Sequence, residues 1–136
     1  MRTHRLQLLI AAAAVLAAAA CRDAVQPPQP GRVVASLTTP ARDDGAVLAV
    51  LTGTAFGEVL PASTSYRVYW RLASPTEIRV VVLGNIVAGP LFSVTVPDVR
   101  QIAALHASVA DVAGRADTAR TSLSGYALSL AGGQGY

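Results

Sequence analysis

Residues 66–72 read Tyr-Arg-Val-Tyr-Trp-Arg-Leu, with a large apolar side chain at every second position. Successive side chains of a β-strand point to opposite faces, so this spacing predicts a half-buried strand with one solvent-exposed face. The apolar face would carry Tyr66, Val68, Trp70 and Leu72. We therefore expect Trp70 to lie in a core and Tyr69 to point outward between two arginines.

The next segment, residues 77–84, reads Glu-Ile-Arg-Val-Val-Val-Leu-Gly and alternates in the same way at first. Ile78, Val80 and Val82 occupy one face, but Val81 and Leu83 make the other face apolar as well. A strand that is covered on both sides has this composition. We expect residues 77–84 to form a strand in the middle of a sheet.

Short runs of β-branched and aromatic residues continue along the chain, separated by clusters of Pro, Gly and Asp. These breaks have turn chemistry, and the pattern is typical of sandwiches and barrels. The runs cover residues 32–38, 46–52, 65–73, 77–84, 91–96, 105–112 and 126–130. We predict one all-β domain over residues 32–130, an immunoglobulin-like or jelly-roll-like β-sandwich of about seven to nine strands, followed by a flexible tail over residues 131–136.

Residues 98–113 fit two structures. Asp98-Val-Arg-Gln101 has the pattern of a helix capping box, and apolar residues follow it at near-helical spacing. One interpretation is a single amphipathic helix over residues 98–113. The other, which we predict, is a short helical turn over residues 98–104 followed by a strand over residues 105–112. The all-β class holds in both cases, because the other runs remain.

The N-terminus is typical of an export signal. Arg2 and Arg5 precede an uncharged apolar run over residues 6–20, and Cys21, the only cysteine, follows Ala20. This arrangement resembles the lipobox of bacterial lipoproteins. The resemblance implies a signal peptide over residues 1–20, cleavage between Ala20 and Cys21, and acylation of Cys21 with chains such as palmitate. Two alternatives stay open: an ordinary signal peptide before an unrelated cysteine, and a retained transmembrane anchor.

A tether would follow the lipidated cysteine. Residues 21–31 contain Pro27, Pro28 and Pro30, which predict an extended spacer that holds the domain about 30 Å from the lipid. The lipobox resemblance places the protein in the bacterial cell envelope. Arg22, rather than Asp, directly follows Cys21, which favours the outer membrane if the host is Gram-negative.

The order of segments from Gly45 to Leu130 resembles the cohesin-like sandwiches of bacterial extracellular proteins. The resemblance lies in the strand pair around the bend Ile86-Val-Ala-Gly-Pro-Leu91 and in the late strand and loop Ala107–Gly114. The family's early aromatic and acidic segment is missing between Gly45 and Gly57, so dockerin recognition is not carried over. What the resemblance implies is a jelly-roll-like sandwich used for protein contact.

Few residues suit catalysis or a nucleic-acid partner. His106 is the only histidine after the signal segment and has no nucleophile motif beside it, and the two glutamates, Glu58 and Glu77, are not tied to one site. The chain has a net charge of +3, but its arginines are dispersed and form no basic run. We predict no catalytic residue, no cofactor and no nucleic-acid binding.

The remaining function is binding, and the sequence leaves its target open. We predict a lipid-anchored, non-enzymatic module that contacts another protein or serves as a structural part of the envelope. The alternative is a module that binds carbohydrate or calcium, and a hydrolase is a more distant third. Candidate carboxylates for calcium are Asp43, Asp44, Asp111 and Asp117, and candidate aromatics for sugar are Tyr66, Tyr69, Trp70 and Tyr126.

Overall fold

The computed structural model describes residues 25–133. The predicted signal peptide over residues 1–20, the predicted lipidation site Cys21 and residues 134–136 lie outside the described residues. The strands are β1 (Gly31–Thr38), β2 (Asp44–Thr52), β3 (Val59–Pro61), β4 (Arg67–Ser74), β5 (Glu77–Ile86), β6 (Gly89–Val96), β7 (His106–Gly114) and β8 (Ala127–Gly132). A 3₁₀ helix, Val99–Ala104, lies between β6 and β7.

The strands form two four-stranded sheets, and every pairing is antiparallel. The first sheet has the order β3-β6-β1-β8, and the second has the order β4-β5-β2-β7. The two sheets pack against each other around one hydrophobic core. The predicted all-β sandwich is confirmed, with eight strands.

Alternating side chains of the inner strands build this core. The buried apolar residues of β2 and β5 are Val47, Ala49, Leu51, Ile78, Val80, Val82 and Ile86. Burying one such aliphatic side chain larger than alanine contributes about 1.5–3 kcal/mol. Because β5 lies between β4 and β2, the predicted middle position of residues 77–84 is confirmed.

The prediction that Trp70 lies in the core is wrong, since 43% of its surface is exposed. Its register partner on β5 is Val80, which points between the sheets. Trp70 is therefore on the predicted face of its strand. However, β4 is an edge strand, and the first sheet ends on that side in β3, which has only three residues. The opposing sheet is too short there to cover Trp70.

The segment over residues 98–113 has the second of the two predicted structures. Asp98 caps the 3₁₀ helix by accepting a hydrogen bond from the Arg100 backbone N–H at 3.0 Å. β7 follows and pairs with β2 along its length. The alternative of one helix over residues 98–113 is wrong, because the edge of β2 holds residues from 106 onward in the sheet.

Most strand boundaries differ from the predicted ones by one or two residues, and one strand, β3, was not predicted. β3 lies in a segment that the sequence assigned to a turn, because three residues are too few to display an alternating pattern. β8 continues through Gly132 and so includes the first two residues assigned to the tail. Gly133 then donates its backbone N–H to the carbonyl of Arg32 at 2.8 Å.

The described part of the predicted tether, residues 25–30, has no regular secondary structure and is exposed. The Arg100 guanidinium nevertheless donates to the side-chain carbonyl of Gln26 at 2.7 Å and to the backbone carbonyl of Pro27 at 2.6 Å. The Val99 backbone N–H donates to the Gln29 carbonyl at 2.9 Å. This stretch thus lies along the 3₁₀ helix. No helix in residues 25–133 has the length and apolar character needed to span a membrane.

Candidate functional site

The edge strand β4 exposes more apolar side chain than its position in a sandwich would suggest. Seven of its eight residues are exposed, and Val68 is partly buried. The exposed fractions are 58% for Tyr69, 43% for Trp70 and 50% for Leu72, which confirms that Tyr69 points outward. Proteins usually shorten, cover or charge such an edge, since its free backbone groups can pair with another chain.

The other three edges within residues 25–133 differ from β4. β3 has three residues, and the exposed side chains of β8 are the small ones of Ala127, Ser129 and Ala131. The end of β7 is covered by the following loop, since Ala113 bridges Ala119 and Arg120 donates its backbone N–H to the carbonyl of residue 112 at 2.8 Å. β4 therefore combines length, exposure and large apolar groups as these edges do not.

The outer face of the second sheet extends the exposed surface of β4. In register, Tyr69 stands opposite Val81, and Val81 stands opposite Leu48 on β2. Val81 and Leu48 are partly exposed. A shallow depression of about 340 Å³ lies at this position. It is lined by Leu48, Tyr69, Trp70, Arg71, Arg79 and Val81. We call β4 together with this depression the β4 surface.

Positive charge borders the β4 surface. Arg67, Arg71 and Arg79 share the outer face, and Arg71 stands directly opposite Arg79 in the β4–β5 register. Arg79 forms an ion pair with Glu77 at 3.0 Å. No ion pair within residues 25–133 involves Arg67 or Arg71. Like charges that face each other across two strands are unfavourable, so an anion here would stabilise the pair.

The candidate aromatic residues do not form one flat platform for a sugar ring. Tyr66 is buried, and the Tyr126 hydroxyl donates to Asp44 Oδ1 at 2.9 Å. Tyr69 and Trp70 are exposed, but consecutive residues of a strand project to opposite faces. Although both residues border the depression, their rings therefore do not form a continuous platform on one face of the sheet.

The carboxylates proposed for calcium at residues 43 and 44 are engaged by an arginine. Asp44 begins β2 and has no solvent exposure. It accepts hydrogen bonds from the Thr39 hydroxyl at 2.7 Å and from Arg120 Nη2 at 2.9 Å, in addition to that of Tyr126. Arg120 also pairs with Asp43 at 2.6 Å. One oxygen of each carboxylate is thus directed at the Arg120 guanidinium, and the second oxygen of Asp44 is bonded to Thr39.

These contacts control the ionisation of the cluster. Burial by itself raises the pKa of Asp44, but the hydrogen bonds from Thr39, Tyr126 and Arg120 outweigh it and hold the pKa below its usual value. The pKa of Tyr126 is raised by burial and by its bond to the Asp44 carboxylate. Asp44 is thus a stable anion, and Tyr126 remains a donor.

The other candidate carboxylates are not brought together. Asp111 lies exposed on β7, where Oδ1 accepts from the following backbone N–H at 2.8 Å, and Asp117 lies in a turn with a φ of 56°. Within residues 25–133, no group of three or more His, Cys, Asp or Glu side chains could hold a metal ion.

The residues considered for hydrolysis are also separate. Glu58 pairs with Arg32 at 3.2 Å on the first sheet, whereas Glu77 pairs with Arg79 on the second. His106 is exposed at the start of β7, opposite Thr52. The described residues therefore show no shared cleft for a general acid and a general base.

Sequence reasoning found Tyr69 but missed the exposure of Trp70 and Leu72 and the role of Arg120. The pairing of Arg120 with Asp43 and Asp44 joins distant parts of the chain, and no local sequence pattern predicts it. Comparisons with protein-family models, with curated proteins and with solved structures find no match to this sequence.

Proposed function

We propose that this protein is a lipid-anchored, non-enzymatic module of the bacterial envelope that binds another protein through the β4 surface. The observation that carries the proposal is the exposure of Tyr69, Trp70 and Leu72 on an eight-residue edge strand. Exposed aromatic residues and arginines are common where proteins bind proteins. An unpaired strand edge adds backbone groups that a partner can use.

The proposed anchor is a lipid on Cys21, after removal of residues 1–20. Because residues from Gln26 onward are bonded to the domain, the spacer from Cys21 to Gln26 spans at most roughly 17 Å. This length is shorter than the spacer of about 30 Å predicted for a tether that is free over all of residues 21–31. The domain would therefore stay near the membrane, with the end that carries the 3₁₀ helix closest to the lipid.

Metabolic labelling with an alkyne fatty acid tests the anchor. We expect the wild-type protein to incorporate the label and to sediment with membranes. The Cys21→Ala variant should lose both the label and the membrane association. An unlabelled wild-type protein would refute the anchor, whatever the variant does.

Site-specific photo-crosslinking tests the binding surface. A photoreactive phenylalanine analogue placed at position 70 or 72 should yield the same crosslinked protein in whole cells, identified by mass spectrometry. The same analogue at Ser129, which is exposed on the edge strand β8, is the matched control and should not yield it. Equal crosslinking from positions 70, 72 and 129, or none from 70 and 72, would contradict the proposal.

A further inference from the structure

We propose that the partner contributes an extended acidic segment that adds to the second sheet as a strand alongside β4. This inference rests on the proposed function, because it names the chemistry of the segment that the β4 surface binds. Three features of the described residues support it: the free edge, the arginine spacing and the unfavourable alternative of self-pairing.

The first feature is the backbone of β4. The strand pairs with β5 on one side, and no other described strand is its hydrogen-bonded neighbour. The register with β5 is regular from Arg67 to Leu72 and shifts only between Leu72 and Ser74. A regular edge of this length offers backbone donors and acceptors to an added strand, which is a recurrent mode of peptide recognition.

The second feature is the position of charge along β4. Arg67 and Arg71 lie on the outer face with Tyr69 between them. A strand added beside β4 would place its own outer-face residues next to these three. Carboxylates next to Arg67 and Arg71 would form charge-assisted hydrogen bonds, and arginine suits carboxylates because its fork can bind both oxygens.

The other face of the same strand selects apolar residues. Trp70 and Leu72 point to the inner side but are uncovered there. The alternate residues of an added strand would lie beside them and beside Val68. The expected segment thus has acidic residues four positions apart and apolar residues between them. This pattern is the same in both chain directions, so it holds for parallel and antiparallel addition.

The third feature argues against a second copy of this chain as the occupant. An antiparallel β4–β4 pair centred on Tyr69 would place Arg67 of each copy opposite Arg71 of the other. Arg71 already stands opposite Arg79, so self-pairing would add like charges to a row that is already positive. A foreign acidic strand removes this repulsion.

Trp70 is the only tryptophan in the chain, so its fluorescence reports directly on the edge. The probe is the synthetic peptide Thr-Glu-Val-Val-Val-Glu-Thr, titrated to millimolar concentration into the full-length protein in detergent. We expect a saturable blue shift of Trp70 emission. Replacing both glutamates of the peptide by glutamine should weaken binding at least tenfold, and replacing the central valine by proline should abolish it.

Exchanging the charges of β4 and of the peptide tests the proposed charge pairing more directly. The double variant Arg67→Glu, Arg71→Glu should lose the acidic peptide and gain the corresponding peptide with lysines in place of glutamates. Arg42→Glu changes the same charge in the exposed loop between β1 and β2 and should bind as the wild type does. Loss of binding to both peptides in the double variant would overturn the charge assignment, provided that its circular-dichroism spectrum is unchanged.

Other occupants give different results. Self-association that grows with protein concentration and is strengthened in the single variant Arg67→Glu, which places a carboxylate opposite Arg71 of the other copy, would overturn the inference in favour of a second copy. Binding to phosphatidylglycerol vesicles without binding to the acidic peptide would overturn it in favour of a lipid surface. If positions 70 and 72 crosslink to a protein in cells but the peptide never binds, this inference falls while the proposed function stands.

Discussion

Arg120 Nη2 donates to Asp44 Oδ1 at 2.9 Å, although the two residues are 76 positions apart in the sequence. The bond ties the loop after β7 to the first residue of β2. Asp44 has no solvent exposure, and Thr39 and Tyr126 donate to its carboxylate as well. These hydrogen bonds to a buried carboxylate hold the loop after β7 against the start of β2. The Asp43-Asp44 loop therefore has a structural role in this fold.

Removing Arg120 should therefore leave a buried carboxylate without its cationic partner. We expect Arg120→Ala to lower the midpoint of urea denaturation clearly below that of the wild type, because the buried Asp44 carboxylate loses its cationic partner. Arg42→Ala, a change at an exposed arginine that forms no ion pair within residues 25–133, is the control and should stay within about 0.5 kcal/mol of the wild type. Equal stabilities for the two variants would contradict a structural role for Arg120.

Acid should destabilise the fold in a defined pH range. The side-chain hydrogen bond from Arg100 lowers the pKa of Asp98 from 3.8 to about 2, and the pKa of Asp44 is lowered as well. A carboxyl whose pKa is lower in the folded state stabilises the fold above its unfolded pKa, and this contribution disappears as the pH falls through the folded pKa. The free energy of unfolding should thus decrease between about pH 4 and pH 2.

The matched variant for this experiment is Asp98→Asn, which keeps a side chain that can cap the 3₁₀ helix but cannot titrate. Its free energy of unfolding should change less between those two pH values than that of the wild type. An identical pH dependence in the two proteins would show that Asp98 does not supply the effect.

Trp70 and Val80 show what the sequence could and could not predict. The alternation of residues 66–72 assigned Trp70 to the apolar face of its own strand, and the register places it opposite the buried Val80. Alternation is local, however, and it does not show which strand lies at the edge or how far the opposite sheet reaches. Trp70 lies on the edge strand β4, which contacts the three-residue β3 of the opposite sheet, and β3 gave no strand signal in the sequence.

The same limit applies to the charged residues. Turn chemistry correctly placed Asp43 near a strand boundary, but pairing with Arg120 depends on two loops that meet only in the folded sandwich. Likewise, the outer-face position of Arg67 and Arg71 followed from their spacing. Their position opposite or near Arg79 required the β4–β5 register. Sequence thus predicted the faces of strands, and the structure supplied their neighbours.

Truncating Trp70 and truncating its register partner Val80 should lower the free energy of unfolding by unequal amounts. Val80 is fully buried, and Val80→Ala should reduce the free energy of unfolding by about 2–3 kcal/mol. Trp70→Ala removes a larger side chain but should cost only about 1 kcal/mol, whereas a tryptophan in a core would cost about 3–5 kcal/mol. Urea denaturation of both variants measures the difference. A loss for Trp70→Ala that exceeds the loss for Val80→Ala would show that the ring is covered in solution.

Arg100 should hold the described part of the tether against the domain. Its guanidinium donates to Gln26 and Pro27, and the neighbouring Val99 N–H donates to the Gln29 carbonyl at 2.9 Å. In Arg100→Ala we expect the Val99 amide to exchange with deuterium at least tenfold faster, because the segment that protects it is freed.

The control for this measurement is Arg71→Ala, which removes an exposed arginine from β4 and should leave exchange at Val99 unchanged. Amides in the centre of β5 report on global stability and should exchange at the same rate in both variants and the wild type. Since only Val99 should respond, a local release of the tether can be told apart from general destabilisation. Unchanged exchange at Val99 in Arg100→Ala would mean that residues 25–30 stay on the domain without Arg100.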